Sequence, residues 1–501
     1  MRELTANRYN AIRTAHNPAS PALLDACDRL GMLVVNEAFD SWSKGKLADD
    51  YHLYFDAWWH RDLADMVLRD RNHPSVVIWS IGNEIPLRAR PLGASLSREL
   101  SDFVRARDPE GRPVTSAFSW SPEWNPAEAD DFMAPLDIAG YNYKPQFYTS
   151  DHRRDPARVM VATESYPQQS FESWQAVWEN EWLIGDFVWT AMDHLGESAL
   201  GWTAATLPGK GMLETCLGTS PWPWHISYAG DLDICGFKKP QSFYRNVLWD
   251  VSPLEMVVSG PAPAGTSEQI SAWGWPDEEV SWTWPSISEG AQVTVKVYSK
   301  AHDEVELFVN GARVGRAMRG GGGSLAFVNG SWFRGIERLT ATFVVPYSPG
   351  NLTAVGHVRA TGRTDVRTLL TTGMPAALRL AADRTTICAS RNDLAYVTVY
   401  VVDSAGRHVP HARVDVSSEL NQKAHDRSDV SVLCIAVGEL RFRGRRRAVP
   451  RRQRRPARPR LLSATSPYNP PRPGARGVAS KGERSWRHAH PQSGSHWTGR
   501  R

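Results

Sequence analysis

The chain has 501 residues, enough for one large domain and one or two smaller ones, and its hydrophobic fraction of 42% is ordinary for a globular protein. No apolar run of about 18 residues is present, which argues against a membrane partner. The net charge of +4 arises near the carboxyl terminus, because residues 440–501 hold 18 of the 58 Lys and Arg but one of the 54 Asp and Glu. The remainder is net acidic, which argues against a nucleic acid as partner.

From the amino terminus, apolar strands alternate with amphipathic helices. The first long helix is expected between an N-cap at Ser20 and a stop at Gly31. Seven strands are predicted, at residues 10–14, 33–38, 76–81, 113–118, 137–143, 159–163 and 184–190. Continuous apolar strands that alternate with helices indicate a parallel sheet covered on both faces.

Seven such strands predict an α/β fold over residues 1–252, a (β/α)₈ TIM barrel whose strand 1 is missing. A doubly wound open sheet is the alternative. That fold usually carries a Gly-rich phosphate loop after an early strand, and none is visible in this sequence. The barrel is therefore the preferred interpretation.

The second half of the chain has the pattern of β-sandwiches. Alternating strands such as Val293–Tyr298 and Glu304–Val309 are separated by Gly, Pro and Asn turns. We predict one immunoglobulin-like β-sandwich at 253–360 and the start of a second at 372–416.

The pattern fails in residues 417–501, which are basic and have no apolar period. A nucleic-acid-binding arm, ordinary disorder and out-of-frame translation are three explanations. The third is favoured, because the second sandwich stops in mid-pattern where the Arg-rich text begins. We therefore predict that this tail belongs to no folded domain.

Two predicted strands end in a glutamate: Glu84 in IWSIGNEIP and Glu164 in VMVATES. Barrel enzymes carry catalytic residues at the carboxyl ends of their strands. Glycoside hydrolysis needs two carboxylates across the scissile bond, one to protonate the leaving oxygen and one to attack the anomeric carbon or activate water. The 21 tryptophans, many beside Gly, Pro or Asp, suit stacking on sugars as well as core packing.

The five cysteines are scattered and form no Cys-x-x-Cys pair, so the sequence predicts neither a disulfide framework nor a metal site. No cofactor is expected.

Four segments resemble glycoside hydrolase family 2, the β-galactosidase, β-glucuronidase and β-mannosidase family. They are RTAHNPASPALLDACDRLGMLVVNEAFDSW, NHPSVVIWSIGNE, VMVATES and IGDFVWTAMDHLGE. Their order and spacing agree with the family, and SWTWPS with VELFVNGARVG resembles its C-terminal sandwich domains. Family members carry two β-domains before the barrel, so the resemblance implies an N-terminally truncated chain.

The resemblance implies a retaining exo-β-glycosidase that forms a covalent glycosyl-enzyme intermediate. Glu84 matches the family's acid/base and Glu164 its nucleophile. In a retaining enzyme the two carboxyl groups are expected about 5–5.5 Å apart. Their proximity should raise the pKa of one of them.

Further residues carry over from the resemblance. Asn83 matches the residue expected at the sugar 2-hydroxyl, and His16 a histidine that hydrogen-bonds sugar hydroxyls, with a structural loop role as its alternative. Tyr143 matches a tyrosine that donates to the nucleophile, and Trp189 an aromatic sugar platform.

Arg13 and Asp40 also lie at strand ends. Asp40 is a candidate for reading a sugar hydroxyl or for capping its loop. Both are counted among the predicted substrate-binding residues.

A glucuronidase would need an Asn-x-Lys motif shortly after Glu164, and ESYPQQSFESW has none. We therefore expect hydrolysis of terminal β-D-galactosides, with a β-galactoside or related glycan as the molecular partner. An inactive fragment or pseudoenzyme of the family, and a β-glucuronidase or β-mannosidase specificity, are the alternatives. Oligomer formation is compatible with the sequence.

Overall fold

A computed structural model describes residues 1–118, 129–196, 200–206, 226–319, 326–328, 331–333, 338–388, 393–414 and 433–437. The chain divides into two units, Met1–Arg443 and Gly444–Arg501, and all described residues belong to the first. The predicted tail, 417–501, lies outside the described residues except for one strand at Leu433–Val437.

Seven parallel strands form the sheet of the first half. They are β1 (Ala11–Arg13), β2 (Leu33–Glu37), β3 (Val76–Asn83), β4 (Val114–Phe118), β5 (Ile138–Asn142), β6 (Met160–Ser165) and β7 (Leu183–Val188). Each strand pairs in parallel with the next one in the sequence. The outer strands β1 and β7 approach each other, so the sheet is a nearly closed barrel. The predicted TIM barrel lacking one strand is confirmed.

The helices associated with these strands are α1 (Arg2–Ala6), α2 (Pro21–Leu30), α3 (His52–Asp70), α4 (Pro91–Arg105), α5 (Asp130–Met133), α6 (Tyr148–Arg154), α7 (Ser170–Glu179) and α8 (Pro240–Leu248). Helices α2 to α7 connect the strands, α1 precedes β1 and α8 follows β7. As predicted, α2 begins at Ser20, whose hydroxyl accepts a hydrogen bond from the Leu23 amide at 3.3 Å, and ends at Gly31, whose φ is 68°. Within the described ranges, no helix has the length and apolarity needed to cross a bilayer.

The barrel interior has an apolar layer below a polar one. Four strands each give one side chain to the apolar layer: Val35, Ile78, Ile138 and Val161. Side chains alternate along a strand, so residues two positions later also face inwards, nearer the carboxyl end. In β2 and β3 these residues are Glu37 and Ser80, and the Ser80 hydroxyl donates to the Glu37 carboxylate at 2.7 Å. The polar layer lies where barrel enzymes hold their catalytic groups.

Large apolar side chains fill the space between the outside of the sheet and the helices. The fully buried ones include Trp42, Phe55, Leu63, Trp79, Phe118 and Phe132. Trp42 also donates its indole N–H to the Ile81 carbonyl at 2.9 Å, which ties the β2–α3 loop to β3. This core holds the strand ends in place.

Two sheets packed face to face follow the barrel. One contains β11 (Leu254–Ser259), β13 (Gln292–Ser299) and β18 (Thr340–Pro346), and the other β14 (Glu304–Val309), β15 (Ala312–Met318), β19 (Asn351–Val358) and β20 (Arg363–Leu370). Trp282, Leu307 and Phe343 lie in the core between them. Strand β20 pairs with β19 at the edge of the second sheet.

Smaller sheets complete the described structure. The pairs are β8 (His194–Leu195) with β10 (Ile226–Ser227), β9 (Thr203–Thr206) with β12 (Ser267–Ile270), and β16 (Ala326–Val328) with β17 (Ser331–Phe333). A last sheet joins β21 (Ala377–Ala382), β22 (Tyr396–Val402) and β23 (Leu433–Val437). Backbone pairing thus continues into the stretch predicted to belong to no folded domain. The four predicted segments, 1–252, 253–360, 372–416 and 417–501, stay predictions.

Two leucines of α3 provide a test of the helix–sheet core. Leu63 is 0% exposed and Leu53 is 56% exposed. We expect Leu63→Ala to lower the free energy of unfolding by about 2–5 kcal/mol, because it removes buried methyl groups and leaves a cavity. Leu53→Ala, the matched control, should change it by less than about 0.5 kcal/mol. Urea denaturation followed by tryptophan fluorescence measures both, and equal losses would contradict this packing.

Candidate active site

Arg13, the last residue of β1, lies at the centre of the polar layer with 3% of its side chain exposed. Its guanidinium donates to Glu37 at the end of β2, with Nε 2.9 Å from Oε2 and Nη2 2.9 Å from Oε1. Nη1 donates to Oε1 of Glu164 on β6 at 2.8 Å, and Nη2 to Oδ1 of Asn83 on β3 at 2.8 Å. One side chain therefore joins four strands of the barrel.

Glu164 is 4% exposed, and both of its carboxylate oxygens accept hydrogen bonds. Oε1 accepts from Arg13, and Oε2 accepts from the Tyr143 hydroxyl at 2.6 Å. Tyr143 directly follows β5, and its amide donates to the Glu164 carbonyl at 2.7 Å. The side chain and backbone of Tyr143 are thus both held against β6.

Glu84 directly follows β3 and is half-buried. Its Oε1 accepts a hydrogen bond from Nδ2 of Asn142, the last residue of β5, at 3.0 Å. The same amide group lies 3.1 Å from Oδ1 of Asn83, which also accepts from Arg13. Hydrogen bonds therefore run without a break from Glu84 through Asn142, Asn83 and Arg13 to Glu164.

Glu84 and Tyr143 have left-handed backbones, with φ values of 46° and 57°. For a residue with a Cβ atom such a conformation costs about 1–3 kcal/mol, and it persists only where surrounding contacts hold it. At both positions a parallel strand ends and the side chain turns into the polar layer. Strain of this kind clusters at functional sites.

His16 and Trp189 form one wall of the site. Nδ1 of His16 lies 2.7 Å from Oε1 of Glu37, and Nε2 lies 3.2 Å from the Asn83 amide. The imidazole stacks on Trp189 with ring centroids 5.0 Å apart and planes 4° apart. The indole that the sequence suggested as a sugar platform therefore has one face covered by His16 in this structure.

Asp40 lies on the other side of Asn83. Its Oδ1 accepts from Nδ2 of Asn83 at 3.0 Å and from the Lys46 ammonium at 2.6 Å. A cavity of about 420 Å³ opens between Asp40 and His16. The structure thus gathers all eight residues predicted for the site around one network: Arg13, His16, Asp40, Asn83, Glu84, Tyr143, Glu164 and Trp189.

Burial and charge act against each other on the acids of this network. Burial raises the pKa of Glu164, and the charges of Arg13 and His16 oppose that rise. Burial also acts to raise the pKa of Glu37, but Arg13 and hydrogen bonds from His16 and Ser80 outweigh it and hold the pKa at about 2. Glu37 is therefore an ionised partner of Arg13 at neutral pH.

The neighbouring bases respond in the opposite sense. Burial acts to lower the pKa of His16, but the hydrogen bond and the charge of Glu37 outweigh it, so the pKa lies above its ordinary value. Burial lowers the pKa of Lys144, the residue after Tyr143, to about 8, although the charge of Glu84 opposes the change. Lys144 is 6% exposed and places a second cation on the Glu84 side of the site.

Sequence reasoning missed three residues of the network: Glu37, Asn142 and Trp273. Glu37 and Asn142 end the observed strands β2 and β5, but each lies one residue inside the end of its predicted strand, at 33–38 and 137–143. Trp273 donates its indole N–H to the Tyr143 hydroxyl at 2.8 Å, although 130 residues separate them. The only feature of the sequence that could have pointed to Trp273 is a tryptophan next to a glycine, Gly274.

One group of acidic and imidazole side chains in the described residues has metal-like spacing. Ligand atoms of Asp25, Asp28 and His73 lie within 4.8 Å of one another. His73 and the Ser75 amide, just before β3, already hydrogen-bond the Asp28 carboxylate. The group therefore lies at the opposite end of the strands from Glu84 and Glu164, and we assign it no function.

Comparison with known families identifies most of this architecture. Residues 1–195 match the family "Glycosyl hydrolases family 2, TIM barrel domain". Residues 290–363 match a domain of unknown function, DUF4982, and residues 378–426 match "Glycoside hydrolase family 2 C-terminal domain 5".

Individual proteins show the same likeness. The chain is 29% identical over 483 residues to beta-galactosidase BoGH2A of Bacteroides ovatus, covering 80% of this chain and 49% of that protein. It is 26% identical over 454 residues to a putative beta-glucuronidase of Formosa agariphila, covering 80% of this chain and 38% of that protein. It superimposes with a TM-score of 0.71 and 40% identity on a glycosyl hydrolase family 2 member from Bacteroides cellulosilyticus, over 81% of this chain and 49% of that one.

The chain spans about half of the length of each of these relatives, or less than half. Within that span the barrel agrees in sequence and in fold with one family throughout. From the match of residues 1–195 we conclude that the barrel of this chain is a glycosyl hydrolase family 2 TIM barrel domain.

Proposed function

We propose that this chain is a retaining exo-β-glycosidase that hydrolyses terminal β-D-galactosides. The observation that carries the proposal is the contrast between two strand-end glutamates joined by one hydrogen-bond network. Glu164 is buried against a guanidinium and a phenol, whereas Glu84 is half-buried and accepts from a neutral amide.

Glu164 suits the role of nucleophile. Arg13 and Tyr143 both donate to its carboxylate, and donors of this kind stabilise the ionised form that attacks the anomeric carbon. As the glycosyl ester forms, the leaving oxygen takes the electrons of the glycosidic bond and a proton from Glu84. The negative charge therefore passes from Glu164 to Glu84.

Glu84 suits the role of acid/base. It would give a proton to the leaving oxygen in the first step and take one from water in the second, so that protons balance over the cycle. The neutral Asn142 amide orients the carboxyl group without fixing its charge, which such a group needs since it alternates between two protonation states.

Sugar recognition would fall to the residues that surround this pair. His16 and Asp40 line the 420 Å³ cavity, and Asn83 lies within hydrogen-bond distance of both. Their imidazole, carboxylate and amide groups are the donors and acceptors that sugar hydroxyls require. Trp189 would offer an apolar face to the sugar ring on the side away from His16.

The galactoside assignment rests on two observations. The sequence after Glu164, SYPQQS, lacks the Asn-x-Lys motif expected for a glucuronidase. A protein named beta-galactosidase is among the relatives that cover most of this chain. A β-glucuronidase is the second candidate, because Lys144 supplies a buried cation near Glu84 and the relatives include a putative beta-glucuronidase.

The catalytic pair makes the first functional test. Glu164→Gln should abolish hydrolysis of nitrophenyl β-galactoside, because the amide cannot form the glycosyl ester. Glu84→Ala should lower kcat/KM for lactose by about 10²–10⁴-fold, since the leaving group loses its proton donor. It should spare dinitrophenyl galactoside, whose leaving group needs little protonation, and added azide should restore turnover and yield a β-galactosyl azide.

Glu110→Gln serves as the control for the pair, because Glu110 is exposed in the turn after α4. It should keep wild-type kinetics. A Glu84→Ala variant that hydrolyses lactose at the wild-type rate would show that the acid/base assignment is wrong. A wild-type chain that binds galactose without any turnover would favour the inactive-fragment alternative.

Substrate preference makes the second test. We expect kcat/KM for nitrophenyl β-galactoside to exceed that for the β-glucuronide by on the order of 10²-fold, because a substrate carboxylate would lose water without gaining a dedicated cation. Steady-state kinetics with the two substrates decides the question. Preference for the glucuronide, abolished by Lys144→Met, would instead support the second candidate.

A further inference from the structure

The segment that carries Trp273 comes from beyond the barrel and is tied firmly to it. Strand β12 pairs antiparallel with β9, with Ile270 opposite Thr203. Just after this pairing, the Ser271 amide donates to the Trp202 carbonyl at 3.1 Å. The Thr203 hydroxyl donates to the Trp275 carbonyl at 2.7 Å, so residues on both sides of Trp273 are anchored.

The turn itself requires a glycine. The Gly274 amide donates to the Ser271 carbonyl at 2.9 Å and closes the turn. A Cβ atom at Gly274 would lie 2.9 Å from the Trp202 carbonyl oxygen, closer than real Cβ contacts come. The side chain of Gln168, just after β6, also donates to the Ser271 carbonyl at 3.2 Å. These contacts orient the Trp273 side chain towards the active site.

Hydrogen-bonding capacity then determines the direction of each bond. An indole N–H can only donate, so Trp273 must give its proton to the Tyr143 oxygen, 2.8 Å away. An ionised carboxylate can only accept, so Tyr143 must give its proton to Oε2 of Glu164, 2.6 Å away. The result is a directed relay from Trp273 through Tyr143 to Glu164.

Aromatic packing holds the middle of this relay. The Tyr143 ring stacks on Tyr166 with centroids 4.3 Å apart. Trp273 meets both rings at an angle, with centroids 5.6 Å from Tyr143 and 5.4 Å from Tyr166. The Tyr143 ring is therefore restrained on two sides. The Trp273 N–H lies where any other donor would have to approach the Tyr143 hydroxyl to change its orientation.

We infer that Trp273 is a positioning residue for the reaction: it fixes the Tyr143 hydroxyl as the hydrogen-bond donor to Glu164. The inference rests on the proposed function, in which Glu164 is the nucleophile. Trp273 acts through Tyr143, since its hydrogen bond is made to the phenol and not to the carboxylate.

The effect should be greatest when the glycosyl-enzyme breaks down. In that step water attacks the anomeric carbon, Glu84 takes the water proton, and the bond electrons return to Glu164 as a carboxylate. A donor at Oε2 stabilises the returning charge. The Trp273 N–H strengthens that donor by polarising the phenol.

The groups that face Glu164 come from several elements. Arg13 from β1 and His16 from the following loop oppose the rise in the pKa of Glu164, whereas Glu84 after β3 adds to it. Tyr143 after β5 donates to the ionised form. A change confined to Trp273 leaves all four of these groups in place, so it isolates the contribution of the relay.

The test is a double-mutant cycle in the full chain. Trp273→Phe keeps an aromatic ring and removes the N–H. The substrate is dinitrophenyl galactoside, because its good leaving group makes deglycosylation the step expected to limit turnover. The variant should lower kcat by about fivefold, as expected for one hydrogen bond. In a Tyr143→Phe background the same change should cost less than about twofold, because the hydroxyl it acts through is absent. Equal fold-losses in both backgrounds would overturn the inference.

Trp275→Phe is the matched control. Trp275 lies two residues away on the same segment, but its N–H donates to Glu278 at 3.0 Å. Its removal should leave kcat unchanged. If Trp273→Phe loses the folded near-UV spectrum, benzothienylalanine at position 273 replaces the N–H by sulfur with nearly the same shape and should give the same fivefold loss.

A readout without turnover separates this inference from the proposed function. In the protein labelled with ¹³C-glutamate, the Glu164 signal is identified by its absence in Glu164→Gln, and its titration gives the pKa directly. Trp273→Phe should raise that pKa, because a carboxylate loses part of a donor to its charged form, while Trp275→Phe should not. An unchanged pKa overturns the relay even if the enzyme is active; absence of turnover with a raised pKa overturns only the proposed function.

Discussion

The guanidinium of Arg13 is the interaction on which the rest of the site depends. Two carboxylates, Glu37 and Glu164, lie within the barrel with almost no exposure, and burying either one alone would cost several kcal/mol. Arg13 hydrogen-bonds both at 2.8–2.9 Å and also donates to Asn83 and to the Thr163 carbonyl. A planar group with donors on three sides can do this, whereas a lysine ammonium could not hold the same fixed geometry. The strand ends β1, β2, β3 and β6 are thereby held in one arrangement.

Glu37 explains how one cation can serve two acids. Its carboxylate also faces His16, whose pKa is raised by that contact, so the imidazole can share the positive charge. The same contact holds the imidazole where it stacks on Trp189. Glu37 therefore holds both cations in place. Glu84, by contrast, is half-buried at the edge of the network and near Lys144.

The barrel could be predicted because it follows from local patterns. For the site, strand ends pointed to Arg13, Asp40, Glu84 and Glu164, whereas His16, Asn83, Tyr143 and Trp189 came from the resemblance to a family. Apolar runs with helices between them specify parallel strands, and the carboxyl ends of such strands meet at one face. Glu37 was overlooked because it lies inside an apolar run, where a single charged residue does not change the prediction of a strand. Its partner Arg13 lies on another strand, so the sequence does not show that the two residues pair. The covered face of Trp189 could not be foreseen either, because the stacking with His16 depends on the path of two loops. Strand β23 was also missed. It pairs with β22, but the sequence between the two strands has no strand pattern that would predict the pairing.

Trp273 shows why a domain boundary read from sequence can divide a functional unit. The boundary predicted at residue 252 follows the change from alternating helices and strands to strands alone, and that change is real. The chain nevertheless returns to the barrel at β12, where pairing with β9 and the tight turn at Gly274 bring an indole N–H to the Tyr143 hydroxyl. A hydrogen bond between residues 143 and 273 produces no periodic pattern in the sequence, because it depends on one donor side chain at a single position. The segment between sandwich strands β11 and β13 therefore contributes to the site. Its anchoring by backbone hydrogen bonds gives the precision that a mobile loop would lack.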